Sequence, residues 1–123
     1  MAEQIKSLSK IGIRDWRIQR VSSVLLAAYS VLLLVVILLL PEFDFESWRE
    51  LFLTTWMQIA TLIALLAIAL HAWVGMWTIG TDYLSSQNAG SKANRLRYLY
   101  QSICLLILII YVIWGIRILW GNQ

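Results

Sequence analysis

The sequence predicts an all-α protein that crosses a membrane with three helices, and three observations predict it. Of its 123 residues, 60% are hydrophobic and only 14% are charged. Three runs of 20, 31 and 19 residues contain no charged residue, at 21–40, 51–81 and 98–116. A bilayer core needs ~20 helical residues, so each run can cross it, and the second must tilt or protrude. Basic and acidic residues alternate between the segments outside these runs. We therefore expect a single membrane-anchor domain over 1–123.

The predicted helices follow from these runs and from the residues that interrupt them. A loosely ordered cytoplasmic lead over about 1–15 precedes transmembrane helices over about 16–40, 56–80 and 96–120. Pro41 closes the first helix, because proline cannot continue the hydrogen-bond ladder. Its apolar run is longer than that of a signal peptide, so we expect it to remain as an anchor. The segment FDFESWRELF after it is typical of a short amphipathic element in the outer interface.

The distribution of charge predicts the topology. Basic residues outnumber acidic ones over 1–20 and 82–97, whereas 41–50 carries Glu42, Asp44, Glu46 and Glu50 against Arg49. The positive-inside rule places the N-terminus and the 82–97 loop in the cytoplasm and the C-terminus on the outer side. The net charge of +3 therefore reports orientation in a lipid membrane, and we expect no nucleic-acid partner.

His71, the only histidine, lies on a stripe of small and polar residues. At about 100° per residue, this stripe comprises Ala60, Ala64, Ala67, His71, Gly75, Thr78 and Asp82. Small residues let another backbone or a flat cofactor come close. An ionisable group within the membrane is costly unless it is paired or ligated. Two interpretations follow: His71 is an axial ligand of haem iron, or it hydrogen-bonds a neighbouring helix.

Three further residues complete the candidate sites. Arg20, like Arg17, lies at the cytoplasmic end of the first helix, where a guanidinium suits a haem propionate. Asp82 and Tyr83 lie about 16 Å from His71 along the helix, where they suit a quinone carbonyl and its proton supply. Tyr83 also fits a simple interfacial aromatic residue. Low-spin haem usually has two axial ligands, and Met57 and Met76 are poorly placed. The second ligand is therefore expected from another chain, within a larger heteromeric helical bundle.

The motif H-A-W-x-G-M-W followed by T-D-Y, together with the upstream G-I-R-D-W-x-x-x-R, resembles the D-type hydrophobic membrane anchor of succinate dehydrogenase. The resemblance covers nearly the whole chain. It implies that His71 ligates haem b, with the other ligand from a companion C-type cytochrome b anchor, and that Arg20 lies near a propionate. It further implies that Tyr83 hydrogen-bonds ubiquinone beside Asp82.

The resemblance also implies the partner subunits of the chain and the membrane in which it lies. Electrons from succinate would pass through a flavoprotein and an iron–sulfur subunit to the quinone, in a bacterial inner membrane. This chain would anchor these subunits without oxidising succinate itself. Three alternatives stay open: a structural anchor without haem, the equivalent anchor of a fumarate reductase, and a small proton-coupled transporter using His71 and Asp82. Whether Arg14 and Arg17 contact haem or lipid also stays open.

Overall fold

The protein is all-α in the part described by the computed structural model, which comprises residues 1–84 and 90–121, with the backbone alone at Leu8. No strand occurs within these residues. A 3-10 turn over Gly90–Lys92 precedes the last helix. The helices are α1 (Ala2–Leu39), α2 (Phe45–Leu53), α3 (Thr55–Tyr83) and α4 (Ala93–Trp120).

Three segments are long and apolar enough to cross a membrane: α1, α3 and the segment Gly90–Trp120 that contains α4. This confirms the predicted fold class. The 38 residues of α1 correspond to about 57 Å at 1.5 Å per residue. Because a bilayer core is about 30 Å thick, α1 extends well beyond it at the basic, N-terminal end.

The expected loosely ordered lead is wrong, because α1 begins at Ala2 and not near Trp16. Residues 2–15 contain no proline and are rich in good helix formers, including alanine, leucine, glutamate, glutamine, lysine and arginine. Glu3 in the first turn also suits the positive end of the helix dipole. The helix therefore continues past the apolar run. Its predicted end is confirmed, since α1 stops at Leu39 and Leu40 is extended, as a residue before proline should be.

The amphipathic segment after Pro41 is the helix α2. Asp44 caps it, and its carboxylate accepts a hydrogen bond from the Ser47 backbone N–H at 2.9 Å. Hydrogen bonds from the Ser47 side chain and backbone hold the pKa of the Asp44 carboxyl below its ordinary value. The Trp48 ring packs between Phe43 and Phe52, with centroids 5.8 and 4.8 Å away. Its position in the outer interface remains a prediction.

The connection between α3 and α4 is shorter than predicted. Helix α3 continues to Tyr83 instead of ending at Gly80, and α4 begins at Ala93 instead of near Leu96. Residues 85–89 of the predicted Ser/Asn/Gly-rich loop lie outside the described residues. Gly90 has a φ of +63°, a left-handed conformation that glycine adopts without strain.

Helix α3 is the central element, with α1 on one side and α4 on the other. The Tyr29 and Thr61 hydroxyls are hydrogen-bonded at 2.8 Å and join α1 to α3. The Gln58 Nε2 donates to the Leu119 carbonyl at 2.9 Å and joins α3 to the end of α4. Both bonds give a polar group a partner within the apolar helix interfaces. An unpaired polar group in such surroundings costs several kcal/mol.

Two glycines let α3 and α4 approach closely. A Cβ at Gly80 would lie 2.9 Å from the Tyr100 ring, and a Cβ at Gly115 would lie 2.7 Å from both δ-methyls of Leu65. Elsewhere the spanning helices expose apolar side chains, such as Val24 and Ile113. A water-soluble protein rarely exposes so much continuous apolar surface, so lipid or other subunits must cover it.

We expect Gly115→Ala to destabilise the packing of α3 against α4 by about 1–3 kcal/mol, because overpacking a filled contact forces neighbours apart. The readout is the Tm of the purified protein in detergent. Gly12→Ala is the matched control, since nothing lies within 4 Å of the added methyl and alanine favours helix. Equal Tm values for the two variants would contradict the close contact.

Candidate functional site

The half-buried His71 faces α1 and hydrogen-bonds across the interface between the two helices. Its Nδ1 lies 3.1 Å from the Ser22 Oγ and 3.5 Å from the Ser23 Oγ. Ser22 is buried, with 3% of its surface exposed. The predicted alternative of a bond to a neighbouring helix is therefore present, and it sets which ring nitrogen remains for other partners.

The hydrogen bonds of Ser22 determine the tautomer of the imidazole. The Ser22 Oγ lies 2.6 Å from the Ile18 carbonyl oxygen, and two oxygens this close share a proton. Since a hydroxyl has one proton, Ser22 donates to Ile18 and accepts from His71. The hydrogen-bond network thus assigns the proton to Nδ1 and leaves Nε2 with a free lone pair.

This arrangement fits a metal ligand. Histidines that bind metals usually donate their other N–H to an oxygen, which fixes the ring orientation. Within residues 1–84 and 90–121, Nε2 makes no hydrogen bond. No group of three His, Cys, Asp or Glu side chains in the described part of the chain is placed to hold an ion. A single imidazole suits a cofactor that needs one ligand from each of two chains.

A second polar side chain lies one turn from His71, against Gly75. The Gln19 Nε2 lies 3.5 Å from the position that a Cβ at Gly75 would take. Its Oε1 is buried and has no hydrogen-bond partner among the described residues. A buried polar atom left unpaired is costly, so Gln19 is a second polar group in the α1–α3 interface beside the Ser22–His71 pair.

The predicted stripe on α3 packs against α1 in its first half, around Ala64 and Ala67, and reaches the exposed Asp82 at its end. Ala64 and Ala67 are each 3% exposed and lie between the Tyr29–Thr61 and Ser22–His71 hydrogen bonds. Their small side chains therefore admit the backbone of α1, one of the two expected uses. At about 100° per residue, Asp82 continues the stripe, but Tyr83 lies about 120° from His71.

The Arg20 and Arg17 side chains lie on opposite flanks of the α1 face that packs against α3. The Arg20 guanidinium stacks over the Trp16 ring, 5.6 Å from its centroid. Arg20 also lies one turn before Ser23, on the same flank. The Arg17 side chain instead lines a groove between α1 and α3, together with Val21. Arg20 is therefore the arginine on the Gln19–Ser23 flank of the site.

The Asp82–Tyr83 pair forms a separate site in the last turn of α3. Both side chains are exposed, Tyr83 at 70%. The helix is continuous from His71 to this pair, so the two sites stay about 16 Å apart along its axis. The structure brings His71 together with α1 but does not bring it together with Asp82 or Tyr83.

Helix α4 supports the end of α3 that carries this pair. The Arg97 Nη2 donates to the Leu84 carbonyl at 3.3 Å, where a cation suits the negative end of a helix. Gly80 contacts the Tyr100 ring one turn before Tyr83. These two contacts position the exposed pair against α4.

The boundary of the membrane on this side is marked by tryptophans. The Trp73 and Trp77 rings contact each other with centroids 5.7 Å apart. Both lie beside Arg14 and Asp15 of α1, which is the setting of an interfacial aromatic belt. The last turns of α3, with Asp82 and Tyr83, lie beyond this tryptophan pair along the helix. Protrusion of this end of the 31-residue apolar run past the hydrocarbon remains a prediction.

Sequence reasoning missed Ser22, Gln19 and Arg97. The one feature of the sequence that pointed to any of them was the polar pair Ser22–Ser23 at the start of an otherwise apolar run. Serine in such a helix usually bonds its own backbone, so the residues alone did not connect it to His71. The connection depends on the relative depth of two helices.

Two comparisons show which known proteins this chain resembles. Residues 2–114 match the family model described as succinate dehydrogenase/fumarate reductase transmembrane subunit. The succinate dehydrogenase hydrophobic membrane anchor subunit of Coxiella burnetii (strain RSA 493 / Nine Mile phase I) is 35% identical over 118 residues, which are 96% of this chain and 96% of that protein.

Proposed function

The chain belongs to the succinate dehydrogenase/fumarate reductase transmembrane subunit family, and on that premise we propose that it helps bind haem b and forms part of a ubiquinone-reduction site. As a membrane-anchor subunit it is a member of a complex with other subunits. We propose that these are a companion C-type cytochrome b anchor, an iron–sulfur subunit and a flavoprotein. The proposed activity is transfer of electrons from succinate to ubiquinone.

The observation that carries the haem proposal is the hydrogen bond between Ser22 and His71. It holds the proton on Nδ1, so Nε2 is the nitrogen that would hold the haem iron from this chain, and a residue of the companion anchor would hold it from the other subunit. When bound, haem b supplies a one-electron carrier inside the membrane. Arg20, on the flank of Ser23, is the cation for a propionate, because a guanidinium binds a carboxylate with two parallel hydrogen bonds.

The quinone site is proposed at the protruding end of α3. The Tyr83 phenol donates a hydrogen bond to a quinone carbonyl, and Asp82 passes a proton from water to the reduced oxygen. Reduction of a quinone to a quinol consumes two electrons and two protons. The exposure of both side chains supports this role, because protons are available there and the partner subunits complete the pocket.

The proposed orientation follows the charges. The basic N-terminal part of α1 and the Asp82–Tyr83 end of α3 lie on the cytoplasmic side of a bacterial inner membrane, and the C-terminus lies on the periplasmic side. The iron–sulfur subunit then docks on the cytoplasmic face, next to the quinone.

A structural anchor without haem is the second candidate, and the same Ser22–His71 bond favours it. A histidine satisfied by a neighbouring helix needs no metal to justify its place. The family description also covers fumarate reduction, in which electrons flow from quinol to fumarate. Substitution of His71 separates the haem-binding role from simple packing.

We expect His71→Ala and His71→Gln to abolish the low-spin haem b signal in the dithionite-reduced minus oxidised spectrum of the purified complex. A glutamine amide can still donate to Ser22, but it does not ligate iron. Thr61→Val is the matched control, since it removes the other side-chain hydrogen bond between α1 and α3. An intact complex with an unchanged spectrum in both His71 variants would favour the structural anchor.

We expect Ser22→Ala to weaken haem retention by about 10–100-fold, the usual effect of losing a partner of a metal-binding histidine. The measurement is the haem content of the complex during competition with a haem-binding acceptor protein. Ser30→Ala is the control, because the Ser30 hydroxyl also donates to its own helix, to Leu26 at 2.8 Å. Equal haem loss in the two variants would remove Ser22 from the site.

We expect Tyr83→Phe to lower kcat/KM for ubiquinone by about 5–100-fold, since a quinone carbonyl left without its donor costs about 1–3 kcal/mol. Succinate oxidation with a water-soluble electron acceptor and the haem spectrum should not change. The control is Tyr98→Phe, because Tyr98 and Tyr83 are similarly exposed, at 72% and 70%. A full rate with Tyr83→Phe would limit Tyr83 to an interfacial role.

A further inference from the structure

The flank of α1 that faces away from Trp16 carries a stripe of cations that continues into apolar residues. Lys10, Arg14 and Arg17 are spaced by four and three residues, so they share one face of the helix. The next residues on this face are Val21 and Leu25, which are 60% and 40% exposed. Charge gives way to apolar surface within one turn.

Two open surface cavities, which share Arg17 and Ile18 as lining residues, follow this stripe. The first, of about 420 Å³, is lined by Lys10, Arg14, Arg17 and two isoleucines of α1. The second, of about 370 Å³, lies between α1 and α3, and its members include Arg17, Val21, Leu25, Ile63, Leu66 and Leu70. Arg17 lines both cavities, so a molecule that contacts the cations can extend into the apolar groove.

The cations lie at and above the headgroup layer of a bilayer. Arg17 and Arg14 lie about 6 and 10 Å beyond Val21, where the uncharged run begins, and Lys10 lies about 16 Å beyond it. The headgroup layer is about 5–8 Å thick on each side, so the Arg17 backbone lies within it, whereas Arg14 and Lys10 start above it and extend long side chains towards it. The Trp73–Trp77 pair, beside Arg14, marks the same boundary.

The positive charge of the stripe is only partly compensated. The Arg14 Nε lies 3.4 Å from the Asp15 Oδ1, an exposed pair of small energetic value. Lys10 and Arg17 make no ion pair within the described residues. This side of α1 therefore attracts an anion with an apolar extension.

We propose that Lys10, Arg14 and Arg17 bind the phosphate headgroup of an anionic phospholipid, one acyl chain of which lies in the groove between α1 and α3. Guanidinium groups bind phosphate oxygens through paired hydrogen bonds, and the groove below them is apolar along its length. An acidic protein segment would match the cations but not the groove. A neutral quinone tail would match the groove but not the cations.

The site is separate from the proposed haem site. Arg20 stacks on Trp16 and lies about 90° around α1 from the centre of the cation stripe. Arg14 and Arg17 are thus assigned to lipid, and Arg20 remains for the propionate. The lipid site does not depend on His71 or Tyr83 having the roles proposed above.

The test measures lipid binding to the assembled complex by native mass spectrometry after detergent exchange. Dioleoylphosphatidylglycerol, dioleoylphosphatidylcholine and inorganic phosphate are titrated separately. We expect phosphatidylglycerol to bind at least about tenfold more tightly than phosphatidylcholine, and Lys10→Gln/Arg14→Gln/Arg17→Gln to weaken it by about 10–100-fold. Lys92→Gln/Arg95→Gln/Arg117→Gln removes equal charge elsewhere and should leave the affinity unchanged.

A second pair of variants tests the groove. Val21→Trp fills its upper end and should weaken phosphatidylglycerol binding, whereas Val24→Trp places the same ring outside it, at a valine that is 68% exposed. Equal effects of the two triple variants, or of the two tryptophan variants, would overturn the proposal. Binding of inorganic phosphate as tight as that of the lipid would also overturn it. Loss of a partner subunit from the first triple variant, with lipid affinity unchanged, would assign the cations to a protein contact instead.

Discussion

The hydrogen bond between the His71 Nδ1 and the Ser22 Oγ is the contact on which the functional features of this chain depend. In a membrane no water satisfies a polar group, so each must find a partner within the protein. By pairing these two residues, the chain fixes the depth of α1 relative to α3. The same bond fixes the tautomer of the imidazole and leaves one ring nitrogen for a ligand. This one contact thus sets the register of α1 against α3, the orientation of the His71 ring and the availability of its Nε2.

The two sides of α3 are built by different means. Toward α1, alanines give a close approach and hydrogen bonds between side chains set the register. Toward α4, the contacts depend on Gly80 and Gly115, each of which meets a large side chain, and one side-chain hydrogen bond runs from Gln58 to the Leu119 backbone. Since helices in lipid associate through packing and hydrogen bonds, this division gives α3 two independent interfaces. The pair α1–α3 is then left with two flanks of distinct chemistry, one beside Ser23 and Arg20 and the other beside Arg17 and the groove.

Much of the fold follows from the sequence, because the length of an apolar run is fixed by the thickness of a bilayer. The number of helices, the stop at Pro41 and the stripe through Ala64 and His71 all rest on such simple constraints. The start of α1 did not follow, because residues 2–15 are polar yet good helix formers. A helical wheel gives angles around one helix and says nothing about the depth of a neighbour. For that reason the sequence identified His71 but did not connect it to Ser22.

The continuity of α1 from Ala2 to Leu39 has a mechanical consequence. About half of this helix lies outside the hydrocarbon, and no proline or loop separates that half from the buried one. Membrane helices adjust to bilayer thickness by tilting, and a rigid rod that pivots inside the membrane moves farthest at its free tip. A change in lipid composition would therefore displace the N-terminal end of α1 sideways, away from the axis of the bundle. A change in bilayer thickness would thus be transmitted along α1 to its N-terminal end, on the side where we propose that the iron–sulfur subunit docks.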